Sequence, residues 1–156
     1  MTNILVEQCK AILEPELPAI SNIANILSVL FNEIDHINWA GLYLVDPNKE
    51  VCYLGPFLGK PACTKIAFGK GVVGTSAEEK RQIVVKDVHL FEGHIACDCQ
   101  SNSEIVISLI QNDTLYAILD IDSDVLDNFD QETTQALEQI AHILSSLVSK
   151  ETIWSL

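Results

Sequence analysis

The residues of this chain that could do chemistry are a few cysteines, carboxylates and aromatics, concentrated in short segments. Cys97 and Cys99 lie in 93–104, Gly-His-Ile-Ala-Cys-Asp-Cys-Gln-Ser-Asn-Ser-Glu, a run of small, polar and turn-forming residues that leads into the apolar segment 105–110. A thiol on a loop at the mouth of a strand can meet solvent and substrate, and its thiolate is the nucleophile. A second loop cysteine, Cys63, stands in Pro61-Ala62-Cys63-Thr64. The two loops could bring their thiols together as a reversible disulfide, or leave them as ordinary half-buried thiols, the commoner fate of free cysteine. Cys9, on a helical stripe, and Cys52, within a strand, fit that second description. Zinc sites use two close ligand pairs. Cys97-x-Cys99, with His89 and His94 nearby, falls short of that spacing, so a metal centre is the lesser alternative.

The carboxylates form a second set. Glu104 opens one apolar strand, and Asp120 and Asp122 close another. Two positions apart on a strand, the aspartates share a face. Asp122-Ser123-Asp124 alone reads as a solvated turn, but Asp120 sits inside the apolar run Ala117-Ile118-Leu119-Asp120-Ile121. A hairpin pairing Ile110 with Thr114 through a three-residue loop would set Glu104 opposite Asp120; a two-residue loop would turn Glu104 to the other face unless a bulge intervenes. Clustered carboxylates can bind an ammonium group, and their mutual repulsion keeps a proton available for donation. Trp39 and Tyr43, four apart on one strand, share a face as well. Core packing is the usual fate of such a pair, yet beside carboxylates it would make a wall for a small ligand with an apolar or thioether-like chain.

The elements that must position these groups follow from periodicity. Apolar residues at helical spacing predict a helix over 1–14, interrupted by Pro15 and Pro18, and a second over 19–34 with Ile20, Ile23, Ala24, Leu27, Leu30 and Phe31 on one face. Strands are predicted at 38–45, 50–54, 64–68, 82–85, 104–110 and 114–121, with a helix over 71–80. Residues 55–75 read as loop-rich, and 87–103 as a long loop without apolar period, a common setting for function. Asp130 would cap a closing helix over 131–150, with Leu137, Ile140, Ala141, Leu144 and Leu147 buried. Hairpins, rather than repeated strand–helix–strand units, indicate an α+β fold: a central antiparallel sheet with helices packed mainly on one side.

A chain of 156 residues suits one domain, with N-terminal helices over 1–34 and a C-terminal helix reaching about 153. A net charge of −13, from 22 acidic and 9 basic residues, argues against nucleic acid or an anionic membrane as partner. There is no apolar run of spanning length and no signal-peptide pattern at the N-terminus, so a soluble, cytoplasmic protein is expected. Five cysteines without paired spacing speak against a disulfide framework.

Several segments in order carry a resemblance: Asn38-Trp39-Ala40-Gly41-Leu42-Tyr43-Leu44, Leu54-Gly55-Pro56-Phe57, Gly59-Lys60-Pro61-Ala62-Cys63, Gly69-Lys70-Gly71-Val72-Val73-Gly74-Thr75, Val85-Lys86-Asp87-Val88-His89, His94-Ile95-Ala96-Cys97-Asp98, Ser101-Asn102-Ser103-Glu104-Ile105-Val106 and Leu119-Asp120-Ile121-Asp122. Over nearly its whole length the chain resembles the free methionine-(R)-sulfoxide reductases, stand-alone GAF-domain enzymes. The resemblance implies a single GAF domain, commonly a homodimer, that reduces free L-methionine (R)-sulfoxide without metal or organic cofactor. It implies Cys97 as the catalytic thiol and Cys63 as the cysteine that resolves its sulfenic acid into a disulfide, with thioredoxin as reductant. It implies Glu104, Asp120 and Asp122 as the acidic pocket and Trp39 and Tyr43 as the aromatic lining. Family members often carry a third cysteine where this chain has Val73, and Cys99 is an addition, so Cys63 is the expected resolving partner and Cys99 a substitute. The alternatives are a GAF small-molecule sensor and a thiol redox switch without catalysis.

Overall fold

The computed structural model of this chain describes residues 2–93 and 100–149. Helices α1 (Thr2–Ala11) and α2 (Ala19–Glu33) lead into strands β1 (Ile37–Asp46), β2 (Val51–Gly59) and β3 (Lys65–Ala67). Helix α3 (Gly71–Glu79), β4 (Ile83–Val85), a short 3-10 turn at Val88–Leu90, β5 (Ser103–Gln111), β6 (Thr114–Ser123) and α4 (Gln131–Val148) follow. The strands form one six-stranded sheet in the order β3-β2-β1-β6-β5-β4. Every neighbouring pair is antiparallel, as the hairpin-rich order implies.

Strand alternation divides the sheet into two faces with different work. Ala40, Leu42 and Leu44 of β1, Ile105, Ile107 and Leu109 of β5, and Ala117, Leu119 and Ile121 of β6 face the main core, where α1, α2 and α4 pack. Trp39, Tyr43, Val45, Val106 and Ile118 face the other way, into a smaller core closed by Val72, Val73 and Ala77 of α3. Three helices thus cover one face and one short helix covers part of the other. Asp130 caps α4 as its position suggests, its carboxylate accepting from the Thr133 amide at 2.7 Å. The α2 stripe differs in one position. Ala24 is exposed, and Ile26 and Asn22 are buried in its place. Asn22 can be buried because its amide group both accepts from the Glu14 amide at 2.9 Å and donates to the Glu14 carbonyl at 3.0 Å.

Two strand details depart from expectation. First, β2 runs on to Gly59 through Gly55-Pro56 instead of ending at Leu54. Strand β3 pairs only with Val51, Cys52 and Tyr53, so among the described residues the outer edge of β2 beyond them has no strand partner. Opposite β1, the register shifts between Gly41 and Tyr43, which places Gly55 and Pro56 at an irregularity. Proline belongs at such a place, where its missing N–H breaks no ladder. Second, the β5–β6 hairpin turns through two residues, Asn112 and Asp113, both at positive φ (51° and 63°). That is the backbone of a two-residue hairpin turn with matching twist. A shift between Leu109 and Ile110 then restores Glu104 to the face of the aspartates. Glu104 therefore lies opposite Asp122, and Asp120 opposite Val106, correcting the Glu104–Asp120 pairing of a three-residue loop.

Gly41 shows how closely the second face is packed. A Cβ there would run into the Phe57 Cβ and come within 2.6 Å of the Trp39 ring at Cη2. Bare backbone at Gly41 lets the indole lie flat against the sheet. Gly41→Ala should lower the unfolding free energy by roughly 2 kcal/mol through overpacking, measured by urea denaturation.

Candidate active site

On the second face, a pocket opens between the sheet, the loop at 60–64 and the start of α3. Trp39, Tyr43, Pro61, Ala62, Lys70, Val72, Val73, Ser101, Glu104, Asp120 and Asp122 are among its lining residues. The sheet supplies both halves of the wall by alternation alone. Trp39 and Tyr43 come from β1, Glu104 from the start of β5, and Asp120 and Asp122 from the end of β6. β1 pairs with β6, Trp39 standing opposite Asp122 and Gly41 opposite Asp120. Aromatic and acidic groups are therefore neighbours across one ladder. The Trp39 ring stacks with both Tyr43 (centroids 5.9 Å apart) and Phe57 (5.3 Å).

The acidic group is tight, with Glu104 and Asp120 buried and Asp122 half-buried. One oxygen from each of Glu104, Asp120 and Asp122 lies within 4.8 Å of the others. Glu104 is 6% exposed and Asp120 5%, far less than carboxylates usually tolerate. Burial pushes the Glu104 carboxyl well above the usual carboxylate range, and the charges of Asp120 and Asp122 push it further. Glu104 is also hydrogen-bonded to both aspartates. Two carboxyl groups can share a hydrogen bond only if one holds a proton, and the proton belongs on Glu104. Asp120 is pushed up to about 6 by burial, with the Glu104 hydrogen bond pulling the other way. Its Oδ1 is buried with no hydrogen-bond partner among the described residues, so a donor from a ligand would complete it. The same three oxygens could ligate a hard cation, which would have to displace the shared proton.

The aromatic pair does more than line the pocket. The Trp39 indole N–H donates to the Lys60 carbonyl at 3.1 Å, and the Tyr43 hydroxyl donates to the Cys63 carbonyl at 2.9 Å. Burial, followed by the negative charges of Asp120, Asp122 and Glu104, raises the Tyr43 phenol far above its ordinary range, so it keeps its proton. Cys63 is half-buried and disulfide-bonded. Cys9 and Cys52 are free and buried, one in each core; burial pushes their thiols up to about 11 and about 12, which makes them inert. Cys97, Cys99 and His94 lie outside the described residues. Next to them, Gln100 accepts a hydrogen bond from the Lys60 ammonium at 3.0 Å, linking the two cysteine-bearing loops.

The structure thus brings Trp39, Tyr43, Glu104, Asp120 and Asp122 to one pocket, with Cys63 on its rim. Sequence reasoning overlooked Lys70 and Ser101. Lys70 precedes α3 in Gly69-Lys70-Gly71, and Gly69 and Gly71 both adopt positive φ. Glycines on either side of a lysine before a helix were the available signal. Ser101, buried at 5% exposure, accepts from the Asn38 amide at 3.4 Å and carried no comparable mark.

The buried acids leave a thermodynamic trace. The folded protein holds the Asp120 proton up to about pH 6, whereas a free aspartate releases it near 3.8. Stability from this proton is full at low pH and falls as pH rises through that window. Asp120→Asn should remove this decline and gain roughly 1–3 kcal/mol over the wild-type chain at pH 7 relative to pH 4, read from urea unfolding at both values.

Known proteins share this chain's sequence and fold. Residues 22–148 match the GAF domain family. The chain is 40% identical to the free methionine-R-sulfoxide reductase of Escherichia coli, covering 89% of this chain and 83% of that one. Among solved structures, it is similar to fRMsr of Staphylococcus aureus in its reduced form, at 41% identity, a TM-score of 0.87 and 94% coverage of both chains. It is also similar to the free methionine-R-sulfoxide reductase of Neisseria meningitidis in complex with its substrate, at 35% identity and a TM-score of 0.87, covering 95% of this chain and 88% of that one. A GAF sheet with its acidic and aromatic groups on the face away from the helical layer, and this extent of likeness, place the chain in the GAF-domain family of free methionine-R-sulfoxide reductases.

Proposed function

We propose that this chain reduces free L-methionine (R)-sulfoxide to methionine with Cys97 as nucleophile. The observation that carries the reading is the tight carboxyl cluster, with Glu104 buried and hydrogen-bonded to both aspartates, facing an aromatic wall. A sulfoxide oxygen is a strong hydrogen-bond acceptor and a poor leaving group, so its departure needs a proton donor at neutral pH. A carboxyl group pushed well above its usual range by burial and neighbouring acids, as Glu104 is, suits that role.

The reaction balances as follows. The Cys97 thiolate attacks the sulfoxide sulfur while Glu104, or one of the aspartates coupled to it, donates to the sulfoxide oxygen. That oxygen passes to Cys97, giving methionine and a cysteine sulfenic acid. The Cys63 thiol then displaces the sulfenic oxygen as water and forms the disulfide. The two thiols have lost two electrons, which the sulfoxide has gained. A dithiol reductant of the thioredoxin type returns the electrons by exchange. Cys63 as the resolving partner agrees with its disulfide-bonded state and with the inertness of Cys9 and Cys52. Trp39 and Tyr43 enclose the methyl and thioether part of the substrate. Asp120, with an oxygen awaiting a donor, and Asp122 hold the ammonium. The carboxylate meets Lys70 and the opening turn of α3 on the opposite side of the pocket. A peptide-bonded methionine sulfoxide lacks both charges, which explains selectivity for the free amino acid. The bound ammonium also offsets the acids that would otherwise raise the Cys97 thiol. A homodimer working in the cytoplasm completes the proposal.

Pure protein with thioredoxin, its reductase and reduced nicotinamide should consume the R epimer of free methionine sulfoxide and leave the S epimer untouched. No turnover with the R epimer would sink the reading, and activity surviving Cys97→Ser would sink the nucleophile. Glu104→Gln should lower kcat by about 10²–10⁴, the usual worth of a positioned acid. Lys70→Met should instead raise KM about ten-fold while kcat changes little, separating substrate binding from chemistry.

A further inference from the structure

We propose that Tyr43 and Trp39 are positioning residues for the resolving thiol, holding the Cys63 backbone at a fixed place on the pocket rim; this rests on the reading of Cys63 as the resolving cysteine. Three carbonyls of that short segment accept hydrogen bonds from the sheet. The Lys60 carbonyl accepts from the Trp39 indole at 3.1 Å, the Cys63 carbonyl from the Tyr43 hydroxyl at 2.9 Å, and the Thr64 carbonyl from the Leu54 amide at 3.0 Å. Between the first two anchors, Pro61 has a fixed φ. The segment lies outside the strands, yet it is pinned on both sides of Cys63 to β1 and β2.

Resolution demands such a bracket. A disulfide forms only when the two Cα atoms come within about 4.4–6.8 Å with their Cβ vectors correctly aimed. A flexible loop would visit that window rarely, and a sulfenic acid left waiting is open to further oxidation. With the Cys63 Cα fixed, the search on its side of the bond narrows to rotation about its own side chain. The Tyr43 hydroxyl suits this task because its proton is never surrendered in the physiological range. Its ring also faces the carboxyl cluster, so one side chain touches both the place where oxygen leaves and the backbone of the thiol that takes over.

The balance of the step is unchanged: sulfenic acid and thiol give a disulfide and water. The bracket alters only how fast and how favourably they meet. Substrate lining alone and backbone positioning make different demands on Tyr43→Phe, which keeps the ring and loses the hydrogen bond. The full-length protein is given one equivalent of free methionine (R)-sulfoxide with dimedone present, and sulfenic adduct is counted per methionine released. The adduct per methionine should rise about five-fold in Tyr43→Phe, the loss of one ordinary hydrogen bond. A second measurement needs no substrate: equilibration in glutathione redox buffers should show the Cys63 disulfide about five-fold less favoured in the variant. Trp39→Phe, lacking the indole N–H, should move both readouts in the same direction. An unchanged adduct ratio with a raised KM, or an unchanged disulfide equilibrium, overturns the proposal. If the wild-type chain releases no methionine, the reductase reading fails by itself, and the redox equilibrium still decides whether Tyr43 positions Cys63.

Discussion

Three carboxyl groups gathered on one face of a sheet, two of them buried, are the constraint around which the rest of this molecule is arranged. Carboxylates at such spacing repel, and burial with that repulsion pushes the Glu104 carboxyl well above its usual range, where a hydrogen bond to the aspartates favours the protonated form. That requirement fixes which groups can surround it. Water must be limited, so Trp39 and Tyr43 wall the pocket with apolar surface while sending their own polar atoms outward to backbone carbonyls. Among the described residues, helical cover on this side is confined to one short helix, which leaves room for the cavity. The stabilising mass of the domain therefore sits on the opposite face, where α1, α2 and α4 bury a continuous apolar core. Stability and chemistry are assigned to opposite sides of the same strands.

The same physics sorts the cysteines. Cys9 and Cys52 are buried in apolar surroundings that push their thiols up and disfavour a thiolate. Cys63 stands on the pocket rim, half-buried and already in a disulfide. The Lys60–Gln100 hydrogen bond joins its loop to the approach of the segment carrying Cys97. A chain with five cysteines thus keeps two of them deep in apolar cores and a third, Cys63, on a half-buried segment tied to the pocket wall.

Much of this was legible from residue order because period-two and period-3.6 patterns translate directly into faces. The helical layer, the antiparallel sheet, the Asp130 cap and the shared face of Asp120 and Asp122 follow from spacing alone. The hairpin register did not, because Asn112 and Asp113 at positive φ and the shift beside Leu109 are backbone events without a side-chain period. The continuation of β2 through Gly55 and Pro56 was hidden because both residues usually break strands; only the open outer edge and the register shift opposite β1 explain their presence. Lys70 and Ser101 join the pocket through tertiary folding, which brings residues far apart in the chain to one wall. The bonds from Tyr43 and Trp39 to the 60–63 carbonyls are of the same kind, since a sequence records side chains and not which carbonyl each will find.

The irregularity beside Leu109 has a consequence that reaches the far end of the hairpin. Antiparallel pairing obeys parity: a single residue added to or taken from one strand inverts every partner beyond it. Turn and bulge together set whether Glu104 meets Asp122 or is turned toward the helical core, about 20 Å away along β5. The chemical identity of the pocket is thus written as an odd-or-even count at the opposite tip of the molecule. A one-residue change there can be silent when turn and bulge compensate each other. When they do not, it would carry a carboxyl group into hydrocarbon and leave the pocket without its proton.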